Sequence, residues 1–404
     1  MFPPALTPQT LMAHMSALCK EIGPRPSASA QERQAAAYVQ AVLKRLGIAD
    51  LQEQPFRSQT SPGWNLIPLA AAGVVFVGIA WLGGPGGRIV AGGLLWVSFW
   101  LYRQMLLTIP TLLQPLIECG RSQNVIARIP ATQTAQRTIY LVGHLDSNKQ
   151  RFLFPPAQPQ IMKIEHTVVM ASLPANGVLL IASGLWPQPL LTSIALGMGT
   201  LLGLVGGVML FLLISDERQP HVEGANDNAT AVSILLGVAE ALQSQPLHTS
   251  NVVLLFTGCE EAGGVGMENY LRQLRPKREN TFWIDLEMAG TGNLCYVTRH
   301  GVSHFCEYRP HAEMAELAAE AARRFPHLGV IGKEMLILEE VATLRRHGYR
   351  AVCIAGYNQQ GYLPNWHRLS DTLENIAPET LTRAAHYTWA LMEAIDASGR
   401  LPAE

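Results

Sequence analysis

The spacing of apolar residues along this chain changes period several times, and each change marks an element. Near the start, SASAQERQAAAYVQAVLKRLG carries apolar positions at helical spacing, with Ser29 and Glu32 placed as a capping box and Gly47 as a stop. LQEQPF then alternates as a strand does. Further on, NVIARIP, TIYLVG, NVVLLFT, TFWID and AVCIAG are short β-branched runs that predict buried strands. NATAVSILLGVAEAL, GGVGMENYLRQL and APETLTRAAHYTWALMEAI follow with helical periods. Strands alternating with helices predict an α/β sandwich.

Two stretches break the alternation. From about Trp64 to about Tyr102 the only charge is Arg88, beside the turn-forming GGPGG. The first arm, Trp64 to Gly84, is long enough for one bilayer crossing at roughly 20 residues, while Arg103, Pro110 and Pro115 interrupt the end of the second. Thr167 to Ser215 then runs for about 49 residues without Asp, Glu, Lys or Arg, roughly twice what one crossing needs. Pro187 and Pro189 divide it, and Gly197, Gly199, Gly203, Gly206 and Gly207 offer surfaces for close helix packing. Both stretches predict transmembrane helical hairpins, inserted at 63–118 and 167–215; buried core helices or an oligomer interface are the alternatives. Residues 1–62, 119–166 and 216–404 then make one domain, which each insertion leaves and re-enters on the same side of the bilayer.

Composition agrees with a lipid-bilayer partner: 48% of residues are hydrophobic, 15% charged, and mean hydropathy is +0.14. A net charge of -1 without a basic run leaves no footprint for nucleic acid. The six cysteines are scattered, which fits free thiols in a reducing compartment. The N-terminus lacks the pattern of a secretory signal. Arg57, Arg103, Arg121, Lys149, Arg151 and Lys163 cluster near the domain-side ends of the insertions, so the positive-inside tendency places the domain in the cytoplasm.

Chemistry collects at strand ends, where open α/β sheets bind ligands. TIYLVG runs into His144-Leu145-Asp146, GANDN puts Asp227 at a helix start, NVVLLFT leads to Glu260-Glu261, TFWI ends in Asp285, and NWHRLSDT carries His367 and Asp371. Singly, each has an ordinary explanation as a cap, a turn former or a solvated surface. Together they supply the imidazole and carboxylate ligands of hydrolytic zinc, with Asp146 and Asp371 spaced to orient His144 and His367 from behind. Adjacent side chains on an extended segment point opposite ways, so one glutamate of the pair can bind metal while its neighbour acts as base.

This set, in this order, resembles the co-catalytic zinc aminopeptidases, the metallopeptidase family that also contains the glutaminyl cyclases. LMAHMSALCKEIGPRPSASAQERQAAAYVQAVLKRLG and EEAGGVGMENYL are similar to that family's N-terminal segment and to its helix after the glutamate pair, so the resemblance covers nearly all of the chain outside the insertions. It implies a three-layer α/β/α sandwich on a mixed, mostly parallel sheet. It also implies two zinc ions, one held by His144, Asp227 and Asp285 and the other by Asp227, Glu261 and His367. Glu260 would be the base, and the substrate a peptide with a free N-terminus. The chain departs from the family in three places: the second insertion separates His144 from Asp227, Trp366 replaces the Tyr that steadies the oxyanion, and Glu339-Glu340 stands where many relatives carry a Ser-Asp-His-like element. A Trp-His pair also occurs in glutaminyl cyclases, so cyclisation of N-terminal glutamine is one alternative and a non-catalytic membrane scaffold another. Retention of all five ligand positions and Glu260 favours the peptidase; oligomeric state and preferred N-terminal residue stay open.

Overall fold

A computed structural model describes residues 2–153 and 159–398, so residues 154–158 and 399–404 of the expected domain lie outside the described residues, as does Met1. The strands are β1 (Asp50–Ser58), β2 (Gly120–Ile129), β3 (Arg137–His144), β4 (Ser250–Thr257), β5 (Thr281–Glu287), β6 (Asn293–Arg299), β7 (Val330–Glu334) and β8 (Arg350–Tyr357). The helices, in chain order, are α1 (Pro8–Ser16), α2 (Ala30–Arg45), α3 (Gly63–Leu82), α4 (Gly84–Leu106), α5 (Gln114–Ile117), α6 (Pro159–Leu185), α7 (Pro189–Glu217), α8 (Thr230–Ser244), α9 (Val265–Leu274), α10 (Ala312–Arg324), α11 (Glu340–Arg346) and α12 (Pro378–Ala397).

All eight strands join one sheet in the order β1-β2-β4-β3-β5-β8-β6-β7. The pairs β3/β4, β3/β5, β5/β8 and β6/β7 are parallel, and β1/β2, β2/β4 and β6/β8 antiparallel, so the sheet is mixed and mostly parallel. Every run read as a strand is one; β6 and β7 are additional, β7 being the mostly exposed edge strand with a correspondingly weak apolar pattern, while β6, between β8 and β7, buries Leu294, Cys295 and Val297. Alternation sends Ile139, Leu141, Leu254 and Ile284 to one face and Tyr140, Val142, Leu255 and Trp283 to the other. The first face is covered by α1, α2, α8, α10 and α12, the second by α9, α11 and the foot of a helical bundle.

That bundle unites the two insertions, because α4 packs on α6 and α3 on α7. At the α4–α6 crossing a Cβ on Gly92 would stand 2.6 Å from the carbonyl oxygen of Gly177, and one on Gly177 2.8 Å from the Trp96 ring, so only glycine permits this approach. Of the glycines anticipated on α7, Gly203 packs tightly on Val77 while Gly197 faces open space. All four helices are long and apolar enough to cross a membrane. The 20-residue α3 reaches about 30 Å at 1.5 Å per residue. Helix α4 continues past Arg103 to Leu106 without a break, which completes the second arm. Helix α6 starts before the apolar stretch; Lys163 pairs there with Glu307 at 2.5 Å, and Thr167 Oγ1 accepts from the His304 amide at 3.0 Å.

Attachment points fix where the bundle stands. β1 ends at Ser58, opposite Gly120 of β2, and Val125 of β2 lies beside Phe256, so the open end of this hairpin is at the carboxyl end of β4. β3 ends in His144 beside Thr257. Both insertions therefore spring from one rim of the sheet, the rim where the parallel strands end.

Candidate metal centre

Five segments deliver polar side chains to that rim. His144 is the last residue of β3, Asp227 lies in the turn before α8, Glu260 and Glu261 follow β4, Glu287 is the last residue of β5, and His367 lies in the loop after β8. Cys259, Met288 and His367 have φ of 53°, 48° and 52°. Non-glycine residues seldom adopt this left-handed region; here it turns the chain sharply at three of the five segments, those of Glu260-Glu261, Glu287 and His367.

Asp227 is the centre of the arrangement. Its Oδ1 stands 3.2 Å from Nε2 of His144 and its Oδ2 3.4 Å from Nε2 of His367. Glu287 Oε2 lies 3.7 Å and Glu260 Oε2 4.0 Å from Nε2 of His144, and Glu261 Oε2 lies 3.0 Å from Nε2 of His367. Two donor groups that share Asp227 result, His144/Asp227/Glu287 and Asp227/Glu261/His367, each with its ligand atoms within 4.8 Å of one another. All five side chains are buried. Among the described residues His144 Nε2, Asp227 Oδ2, Glu261 Oε1 and Glu287 Oε1 have no hydrogen-bond partner, a state that buried polar atoms tolerate when a cation takes their lone pairs. Imidazole nitrogen with carboxylate oxygen is a donor set that suits zinc.

One expected ligand is displaced. Asp285 pairs across β3 with Val142, two residues short of His144, so it sits one step below the rim; Glu287, next on the same strand face, takes the place beside His144. Asp285 instead joins Glu339 and Cys353 in a separate buried group. Reading the strand as TFWID ended it two residues early, and the period of two that puts Asp285 and Glu287 on one face was the available signal.

Behind the ligands, carboxylates hold backbone. Asp146 accepts from the amides of Glu260 and Glu261, both at 3.1 Å, and from Ser27 Oγ at 2.6 Å. His144 Nδ1 lies nearer the Asp146 carbonyl, at 3.0 Å, than its carboxylate, at 3.4 Å. The two oxygens of Asp371 accept from the amides of Asn226 and Asp227 at 2.6 and 3.1 Å, fixing the turn that presents Asp227. Trp366 is buried, its ring 5.9 Å from that of Tyr362 and 5.2 Å from that of His367.

Three further residues escaped the sequence reading. Buried Arg25 donates to the carbonyls of Leu18, Gly23, Leu145, Glu223 and Gly224, binding the N-terminal segment to both sides of the site. The Glu32 amide donates to Ser29 Oγ, which caps the helix, and the Glu32 carboxylate accepts from the amides of Ala28 and Cys259. Asn148 Nδ2 donates to Glu261 Oε2 at 2.6 Å and lies 3.2 Å from His367 Nε2, while its Oδ1 accepts from Arg151 Nε at 3.0 Å. Arg151 in turn donates to Glu217 at the end of α7 and to Ser61 before α3. The foot of each hairpin is thereby joined to two of the converging ligands.

Charge crowding shows in the titration of the group. Burial, with neighbouring Asp146, pushes Glu261 up to about 7; burial, with Asp227 and Glu340, pushes Glu287 to about 8. Glu260 rises well above the usual carboxylate range through burial and repulsion from Glu287, Glu261 and Glu340. Burial drops His367 to about 3, keeping its imidazole neutral and able to ligate.

Residues 210–392 match the profile of Peptidase family M28, a stretch that contains Asp227, Glu260, Glu261, Glu287 and His367 but begins after His144. A Caenorhabditis elegans protein that carries the name endoplasmic reticulum metallopeptidase 1-B is 24% identical over 183 residues, covering 44% of this chain and 19% of its own length. The 1-A form is 25% identical over 196 residues, 47% of this chain and 21% of its own. The chain thus spans about a fifth of these curated relatives. In fold it is similar to a Zn-dependent exopeptidase from Parabacteroides distasonis (TM-score 0.55, 15% identity, 97% of this chain and 99% of that one). It is also similar to a zinc aminopeptidase from Bacillus subtilis (0.56, 13%, 97% and 96%) and to an Acidobacteriales bacterium glutaminyl cyclase (0.58, 12%, 99% and 98%).

Proposed function

We propose that this chain, with its Peptidase family M28 match and the fold of zinc exopeptidases, is a membrane-embedded, di-zinc aminopeptidase. One observation carries the reading: Asp227 faces a different imidazole with each of its oxygens, and each imidazole has its own further carboxylate, Glu287 or Glu261. His144, Asp227 and Glu287 would hold one zinc, and Asp227, Glu261 and His367 the other. When bound, the ions supply Lewis acidity, lowering the pKa of the attacking water and polarising the scissile carbonyl.

Glu260 is the residue left over for proton transfer. Its carboxylate reaches to 4.0 Å from His144 Nε2 without belonging to either donor group, and Asp146 fixes its backbone. It takes a proton from the attacking water and delivers it to the leaving amine. A free α-amino group is favoured among so many carboxylates, which selects N-terminal residues over internal bonds. The site rim carries both hairpins, so the cleft is held near the bilayer and the substrates are peptides whose N-termini lie close to a membrane surface.

The test uses purified protein in lipid nanodiscs, an aminoacyl-amide panel, a glutaminyl peptide and metal counting. Glu260→Gln should lower kcat by about 10²–10⁴-fold, the ordinary worth of a general base, with metal content unchanged. Full turnover in that variant, or no turnover of any free N-terminus by metal-loaded wild type, overturns the reading. Cyclisation of the glutaminyl peptide without amide hydrolysis would transfer the site to the cyclase chemistry.

A further inference from the structure

One buried group of side chains plays no part in that chemistry. Asp285 on β5 and Cys353 on β8 are lateral neighbours in the sheet, and Glu339 comes immediately before α11. One donor atom from each lies within 4.8 Å of the other two, and exposures are 0%, 0% and 1%. Both carboxylate oxygens of Asp285 are buried without a hydrogen-bond partner among the described residues. An acid so placed is costly in either protonation state, because neither form finds a donor or an acceptor. Glu339 is held through one oxygen: Oε2 accepts from Tyr308 Oη at 2.5 Å, while Oε1, 2.8 Å from His300 Nδ1, makes no hydrogen bond among the described residues. Carboxylates that ligate metals are supported from behind in this manner.

We infer that Asp285, Glu339 and Cys353 hold a further divalent transition-metal ion, distinct from the co-catalytic pair and set below it in the sheet. A thiolate with two carboxylates suits a zinc-class ion and not magnesium or calcium, which take oxygen alone. The ion ties β5, β8 and the start of α11 together beneath Glu287, so its part is structural. It neutralises negative charge that would otherwise face Glu287 from behind. The inference extends the metallopeptidase reading without depending on it, since the two sites share no ligand.

The experiment uses the whole chain, produced once with zinc and once in zinc-depleted, cobalt-supplemented medium so that the interior site fills during folding. Metal is counted by mass spectrometry, and the cobalt form is examined for thiolate-to-cobalt charge transfer in the near ultraviolet. Imidazole and carboxylate ligands give no such band. Wild type should hold three ions per chain and show the band; Cys353→Ser should hold two and lose it, while Cys119→Ser, at an exposed position, should change neither. Three ions and a thiolate band that persist in Cys353→Ser overturn the inference, as does a wild type with two ions and no band. Should Cys353→Ser fail to fold, the wild-type count and spectrum still decide, and Asp285→Asn, of nearly equal volume, replaces it in assigning the third ion. One ion with the band would sink the co-catalytic reading and leave this one standing; two without it do the reverse.

Discussion

Glu287 and Asp285 occupy the same face of β5, and their fates differ because of one strand register. Asp285 aligns with Val142 of β3, so the carboxylate that reaches the rim beside His144 is the next one along. Glu287→Gln should remove one co-catalytic ion and lower kcat/KM by about a hundredfold or more, since a lost Lewis acid is worth several kcal/mol; metal counting alongside steady-state rates checks it, and retention of both ions in that variant would remove Glu287 from the ligand set. Arg25 invites a second test. Arg25→Met strips the donor from five carbonyls, three of them in buried hydrogen bonds, and should lower stability by about 3 kcal/mol or more, seen as an earlier thermal transition. His144, Asp227, Glu261 and His367 were legible in the sequence because each stands next to a clear strand or turn signal. Glu287 was not, because which of two same-face carboxylates is at the rim depends on the partner strand, and a lone arginine between prolines carries no local signal.

Among the elements, the hydrophobic stretches announced two hairpins, but not that the hairpins meet. Their union depends on side-by-side placement at one rim, which follows from sheet topology and is invisible in either stretch alone. The contact at Gly92 and Gly177 is tight enough to test it: Gly177→Leu should overpack the crossing by about 1–3 kcal/mol and loosen α4 from α6, read as faster proteolysis of the α3–α4 turn in nanodiscs. The junction of bundle and domain is polar instead. Arg151 bonds to Glu217 Oε1 at 2.6 Å and to Ser61 Oγ at 3.0 Å, and Lys149 Nζ to Glu217 Oε2 at 2.9 Å. Arg151→Met leaves a largely buried Glu217 with one cation fewer and frees Asn148, so KM and zinc affinity should worsen together while kcat at saturating substrate and metal changes little. An unaltered zinc affinity would confine the pair to a purely structural part. Strand β7 shows the opposite limit: mostly exposed at the sheet edge, it is a strand because it pairs with β6, not because its own residues alternate.

For the molecule as a whole, the cluster of carboxylates beside the bundle dictates how the protein responds to losing its metal. In the unfolded chain Glu261 and Glu287 titrate near the ordinary glutamate value of about 4.3. In the folded, metal-free pocket they rise to about 7 and about 8, burial being the first cause of both. A raised folded pKa means that the native state holds protons that the unfolded state has released, so unfolding free energy falls as pH climbs between those limits and levels off above the folded values. Metal-stripped protein should therefore lose thermal stability steadily from about pH 5 to about pH 8. The metal-loaded form runs the other way or stays flat, because the ions bind deprotonated ligands and gain affinity as protons leave. Melting curves of both forms across this range, in the same nanodiscs, separate the two slopes. Parallel curves would mean that the carboxylates around Asp227 do not share their charge with a cation. The window matters as much as the sign: a purely structural ion-pair network at the same place, with its carboxylates depressed below the glutamate value, would gain stability only as pH rises towards about 4.3 and leave the stripped protein flat from about pH 5 to about pH 8, where raised carboxylates must cost it stability.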